Sequence, residues 1–213
     1  MTPRPLRLMI FDRTCRGRPG LPGLSHTWSA GGRLYGGLAR LDAWRGIESW
    51  EEGLRFLATH EAERPLAEIQ FWGHGRWGDA RVGSELLDRG SLAAGHRLRP
   101  HLEAVRERLT GDALWWFRTC ETFGALPGQD FARAFTDFFG GRAAGHTFVI
   151  HLWQSGLHGL RAGEAPHWSP TEGLAEGDPG NPRRAKVSAP WQPRTISCFA
   201  GTIPEGWFTG PGD

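Results

Sequence analysis

Cysteine is scarce: Cys15, Cys120 and Cys198 are the three present in 213 residues. So small and odd a number builds no disulfide framework and suits a reducing compartment. Lysine is reduced to Lys186 among 25 basic residues, and tyrosine to Tyr35, whereas tryptophan numbers 11. The Arg-for-Lys bias, with much Gly and Ala, is the mark of GC-rich coding, and no function is read from it. Charge of one sign is also lacking. With 25 basic and 23 acidic residues the net charge is +2, too small to argue for a nucleic-acid partner. No stretch of about 18 uninterrupted apolar residues occurs, so no transmembrane helix is expected. The first apolar run, residues 6–11, is interrupted by Arg7 and stops at Asp12, too short for the core of a signal peptide. A chain that is 39% hydrophobic and 23% charged is not intrinsically disordered. The expectation is a cytoplasmic protein with no membrane partner, folded as a single domain over residues 1–213.

Several segments alternate between strand and helix character. Residues 6–12, LRLMIFD, read as a buried strand. The Gly-rich stretch 14–46 reads as a hairpin or irregular loop. Ser49 is a fair N-cap for a helix to about residue 60, with acids in its first turn and an apolar stripe at Trp50, Leu54, Leu57 and Ala58. LAEIQFW, 66–72, reads as a strand ending at Gly73-His74-Gly75. A helix over 102–109 is introduced by Pro100 and ended by Gly111. ALWWF, 113–117, is a strand apolar on both faces, as in a buried parallel sheet, and ends at Arg118-Thr119-Cys120. A helix over 129–139 carries Phe131 and Phe135 on one side. TFVIHLW, 147–153, reads as a further strand. The β-α-β-α-β-α-β order predicts an α/β fold: a mainly parallel, Rossmann-like sheet with helices on both faces, three layers in all. The sheet and helices are expected within 6–153. The Gly- and Pro-rich remainder, 154–213, is expected as a loop-like tail over the strand ends.

Sites in open α/β sheets form at the carboxyl ends of the strands, and two strands end in reactive residues. His74 closes one and Cys120 the other, with room for one crossover helix between them. An imidazole beside a thiol takes its proton or stabilises the thiolate, which is the nucleophile. Gly75 lets the backbone approach a substrate carbonyl, and its N–H with that of Cys120 makes a candidate oxyanion hole. The chemistry indicated is acyl transfer from an amide or ester. His146, His151, His158 and His167 lie close in sequence, but their spacings fit no common zinc pattern. No nucleotide-binding glycine pattern or nucleophile elbow is present. Neither a metal nor a cofactor is therefore expected.

An apolar strand ending in His-Gly, then a helix, then an apolar strand ending in Cys resembles the caspase-like cysteine peptidases. This broad group includes caspases, metacaspases, gingipains, separase and CHAT domains. WGHGRWGDARVG resembles the hairpin of CHAT-like and related bacterial domains, and TCETFGALPGQDFARAF their Cys-loop-helix segment. The resemblance covers about residues 6–153. It implies a caspase-like three-layer fold, His74 as general base, Cys120 as nucleophile and Gly75 as oxyanion donor, in an endopeptidase acting on a protein or peptide substrate. Arg118-Thr119-Cys120-Glu121-Thr122 replaces the caspase Gln-Ala-Cys-x-Gly, and Arg118 stands where metacaspases have Asp.

In that group the residue two before the nucleophile lines the pocket for the side chain preceding the cut bond. Arg118 would there favour a carboxylate or polar side chain. Its alternative role is an ion pair with Asp12, the other residue placed at this pocket. Trp153 and Ser155 are expected on the pocket wall, Trp153 equally as ordinary core. Activation is expected through self-cleavage in 156–195 or through a protein partner. Two other functions stay open: a catalytically inactive interaction module, and a Cys hydrolase acting on a non-peptide amide or ester.

Overall fold

The computed structural model describes residues 3–18 and 20–209. The first strand, β1 (Leu6–Asp12), is followed by a small hairpin, β2 (Gly17–Arg18) and β3 (Leu21–Pro22), then helix α1 (Leu24–Gly37) and strand β4 (Ala43–Ile47). Helix α2 (Trp50–Thr59) leads to β5 (Leu66–Trp72), and a three-stranded antiparallel unit follows: β6 (His74–Arg76), β7 (Asp79–Val82) and β8 (Glu85–Asp88). Helix α3 (Arg99–Arg106), strand β9 (Leu109–Arg118), helix α4 (Ala125–Phe139) and strand β10 (Arg142–His146) complete the alternation. The remaining chain forms β11 (Trp153–Gln154), β12 (Leu157–Arg161), the hairpin β13 (Leu174–Asp178) and β14 (Asn181–Ala185), and β15 (Ile196–Ser197).

Six strands make the central sheet, in the order β12-β10-β9-β5-β1-β4. All neighbours pair in parallel except β12, which runs antiparallel to β10. Side chains alternate across the sheet. Leu6, Leu8 and Ile10 of β1 join Ile69, Phe71, Trp115 and Phe117 in one apolar cluster with Leu54 of α2, Leu102 of α3 and Phe135 of α4. Met9, Phe11 and Trp72 face the other way, against Tyr35 of α1. Trp116 lies in a third cluster with Leu157 and Phe208. Helices thus cover both faces, in three layers. No helix among the described residues is long and apolar enough to cross a membrane.

The helix from Ser49 starts as expected, the Ser49 hydroxyl accepting from the Glu52 N–H at 3.1 Å. Three segments differ from expectation. Residues 14–46 are not one loop but hold α1 and β4. The glycines of α1 are there for contact: a Cβ on Gly31 would lie 2.6 Å from the Trp72 ring, and one on Gly32 2.7 Å from Trp44. Composition pointed to a loop, and close packing of the helix on large rings is what requires the glycines.

The strand expected at 147–153 is instead β10, at Arg142–His146. It lies next to β9, whose Trp115 and Trp116 fill opposite faces, so the neighbouring strand is built from small residues. A Cβ on Gly145 would sit 2.7 Å from Phe123. Third, the tail is not merely loop: β12 supplies the sixth strand, so the sheet extends to Arg161 rather than ending before 154. Phe208 packs so closely on β12 that a Cβ at Gly159 would meet its ring at 2.3 Å. In addition α3 begins earlier, at Arg99, because Pro100 occupies its first turn.

Candidate active site

Strands β5 and β9 pair in parallel, with Trp72 opposite Arg118. His74 lies two residues beyond Trp72 and Cys120 two beyond Arg118, each past the end of one of these adjacent strands. The chain leaves β5 into the β6–β7 hairpin, which lies on the loop after Cys120. Glycine makes this possible: a Cβ on Gly75 would be 2.1 Å from Thr122 Oγ1, 2.9 Å from Thr119 Cβ and 3.0 Å from the Asp79 carbonyl. The Thr122 hydroxyl donates to the Asp79 carbonyl at 3.0 Å, the Gly78 N–H donates to the Thr122 carbonyl at 3.0 Å, and the Thr119 and Thr122 hydroxyls are 2.6 Å apart. Asp79 also accepts a two-pronged contact from Arg81, both distances 2.7 Å, stiffening the hairpin.

The two reactive side chains differ in setting. His74 is exposed, and its ring meets Trp28 of α1 edge-on with centroids 5.6 Å apart. Cys120 is partly buried, and its Sγ reaches the Ile150 carbonyl at 3.9 Å. Burial raises the thiol above its ordinary pKa, and the neighbouring Glu121 pushes the same way. The environment of Cys120 therefore favours the neutral thiol, not the resting thiolate that an imidazole neighbour was expected to stabilise.

The residue after the cysteine is one that sequence reasoning passed over. Glu121 is buried, adopts φ +37°, and its N–H donates to the Phe148 carbonyl at 3.0 Å. Its Oε2 has no hydrogen-bond partner among the described residues. Burial raises the carboxyl to about 7, with Asp79 adding to the rise and Arg76 and Arg81 opposing it. A second non-glycine residue in the left-handed region, Ala125 at φ +57°, lies at the other end of this short loop. Such conformations persist only where surrounding structure enforces them, and they concentrate at functional sites. Nothing in the sequence pattern marks Glu121 apart from its place beside Cys120.

Arg118, 3% exposed, points to the face of Trp72 and Trp116, its guanidinium 4.6 Å and 4.4 Å from their ring centroids. It donates to Tyr35 Oη at 2.8 Å, Gln154 Oε1 at 3.0 Å, the Cys198 carbonyl at 2.8 Å and the Ala200 carbonyl at 3.1 Å. Asp12 is not among its partners. That carboxylate accepts from the Thr14 N–H and hydroxyl at 2.7 and 2.6 Å and from the Gly83 N–H at 3.3 Å. It closes the turn after β1 and ties it to the β7–β8 connection.

Trp153 is 41% exposed on β11. Ser155 is fully buried, its hydroxyl donating to the Ala189 carbonyl at 3.1 Å and accepting from Thr195 at 2.8 Å, so it anchors the tail. At the end of β1 a cavity of about 280 Å³ is lined by Phe11, Arg13, Arg16, Ser25, His26 and Ser29.

Of the histidines after residue 145, His158 and His167 both lie against the Arg194 guanidinium, at 3.0 and 3.2 Å, while His146 and His151 serve separate contacts. His146 Nδ1 lies 3.1 Å from the Ser155 carbonyl, and burial lowers its pKa to about 3. His151 meets the Ser188 carbonyl, and His158 lies 2.7 Å from Glu172. Among the described residues no group of three or more His, Cys, Asp or Glu is placed to hold a metal ion. Comparison with family models, curated proteins and solved structures found no match to the chain.

Proposed function

We propose that the chain is a caspase-like cysteine endopeptidase in which His74 and Cys120 form the catalytic dyad. The supporting observation is their equivalent position two residues beyond the Trp72–Arg118 pair on neighbouring parallel strands, with the His74 hairpin packed onto the Cys120 loop through Gly75. The α/β sheet with helices on both faces agrees with the fold that the sequence resemblance implies.

In this reading His74 accepts the Sγ proton as the sulfur adds to the peptide carbonyl carbon. Base assistance during attack is required, because burial keeps Cys120 in the thiol form. The oxyanion faces the N–H groups of Gly75 and Cys120. The C–N bond then breaks as the imidazolium passes its proton to the departing amine, leaving a thioester. Water, deprotonated by His74, adds to the thioester and releases the acid with the thiol restored. No metal or cofactor takes part.

The test is hydrolysis of a fluorogenic peptide library by the full chain. Cys120→Ala and His74→Ala are each expected to reduce turnover by about a thousandfold or more, and the double variant little further, since the two act as one unit. A peptidyl electrophile is expected to label Cys120 ahead of Cys15 and Cys198. No cleavage of any peptide together with no labelling of Cys120 would refute the assignment.

A further inference from the structure

We infer that residues 196–200 form an internal strap that occupies the peptide-binding edge of this site and must lift before an extended substrate can enter; the inference rests on the peptidase reading and assigns its regulation. The strap follows from how the tail is held. Strand β11 comes after β10, the strand beside the nucleophile strand, and its partner is not a strand of the central sheet. It is β15 from the tail, antiparallel, with Trp153 opposite Ser197 and Gln154 opposite Ile196. The Cys198 N–H continues the pairing to the Leu152 carbonyl at 2.8 Å.

Beyond β15 the tail turns its carbonyls toward Arg118. The Cys198 and Ala200 carbonyls each accept from Arg118, and the Tyr35 hydroxyl lies within 2.9 Å of both. Arg40 donates to the Phe199 carbonyl at 2.6 Å. Gln154, on the strand the strap pairs with, accepts from the same guanidinium. The group expected to read the residue before a cut bond is thus occupied by the chain's own backbone.

The hydrogen bonds are main-chain on the tail side, while the Ile196 side chain packs against the Trp116 cluster. Phe199 projects outward and is 60% exposed. Strand pairing through the backbone is how an extended peptide is bound at a free edge, so a substrate would make the same bonds in place of the strap. The tail is fastened on both sides of the segment. Thr195 is held by Ser155 and the Gln192 carbonyl, and Phe208, 1% exposed, is buried against β12. The strap can therefore leave the edge while its two anchors stay in place. Once it has left, Arg118 keeps its bonds to Tyr35 and Gln154, and one N–H on each terminal nitrogen is released for a substrate carboxylate, which links an acidic preference to the open state.

Binding of a peptide to the full-length Cys120→Ala chain tests this without requiring catalysis. The probe is a fluorescein-labelled peptide of residues 194–201 with serine in place of Cys198, RTISSFAG, followed by anisotropy. Cys198→Pro removes the N–H that bonds Leu152 and is expected to tighten binding by about tenfold, as expected if a closed state competes for the edge. Arg40→Ala, a gentler change at a half-buried position, is expected to tighten it by about threefold. Adding Arg118→Met to either is expected to abolish the gain. Thermal unfolding checks that each variant is folded. Binding unchanged in both Cys198→Pro and Arg40→Ala overturns the strap. The peptidase reading fails separately: tighter binding with no cleavage by the intact Cys120 chain keeps the strap and discards the peptidase, whereas cleavage with unchanged binding does the reverse.

Discussion

Replacing Gly75 with alanine adds one methyl group at the point where the His74 hairpin lies on the Cys120 loop. The new Cβ would meet Thr122 Oγ1 at 2.1 Å and Thr119 Cβ at 2.9 Å. Neither atom belongs to a long side chain that can swing aside. If the loops hold their places, overpacking costs about 1–3 kcal/mol. Thr122 must also give up its bonds to the Asp79 carbonyl and Thr119, at about 1 kcal/mol each. The expected loss is therefore about 3–5 kcal/mol in urea unfolding. If the hairpin retreats instead, stability suffers less but the imidazole is displaced, and a shift near 1 Å costs about a hundredfold in turnover.

The double variant Gly75→Ala/Thr122→Ala separates these outcomes, because it deletes the oxygen at 2.1 Å while leaving the rest of the contact. It should be more stable than the sum of the single variants predicts, by about 1 kcal/mol or more. Gly75→Ala with stability within about 0.5 kcal/mol of the parent and undiminished peptide hydrolysis would show that the hairpin does not rest on the nucleophile loop as the distances indicate.

Glu121 gives a pH dependence of defined sign. Its folded pKa, about 7, lies above the ordinary 4.5, so the folded chain holds this proton more tightly than the unfolded one. Its contribution is flat below pH 4.5, falls as pH rises toward 7, and is flat again above. Glu121→Gln should abolish that decline, retaining on the order of 1–2 kcal/mol relative to the parent at pH 8 but not at pH 4, after allowance for the carboxyl's partial contact with water. Equal urea midpoints for the two proteins at both pH values would contradict the burial argument. Arg118→Met should cost about 2–4 kcal/mol, because Tyr35, Gln154 and two carbonyls lose a charged donor at once. A loss below about 0.5 kcal/mol would mean those contacts are not maintained in solution. For the open site, peptides with Asp, Glu or Gln before the scissile bond should be cleaved faster than those with Lys or Arg, a difference that Arg118→Met should erase.

Local pattern determined a good part of this protein. The strands at 6–12 and 66–72 and the capped helix after Ser49 were legible because each carries its own periodicity and end signals, read over a few residues. The placement of His74 and Cys120 past the ends of β5 and β9 followed from the same strands, since a parallel pair joined by a single crossover leaves both carboxyl ends on one side. What the sequence could not decide depended on packing partners distant in the chain. Glycine in α1 looks like a loop until the Trp72 and Trp44 rings it must accommodate are in place. The small residues of β10 look like a poor strand beside the apolar run that follows, until Trp115 and Trp116 fill the space on both faces. Glu121 acquires its raised pKa from burial and the nearby Asp79, and Asp12 and Arg118, plausible partners by charge, bond to other groups. Ser155 and the strap are further cases, because their bonds join segments some 35 to 80 residues apart. Local sequence specifies which backbone conformations are favourable, whereas burial and hydrogen-bond partners across such separations are set only when the tertiary structure closes.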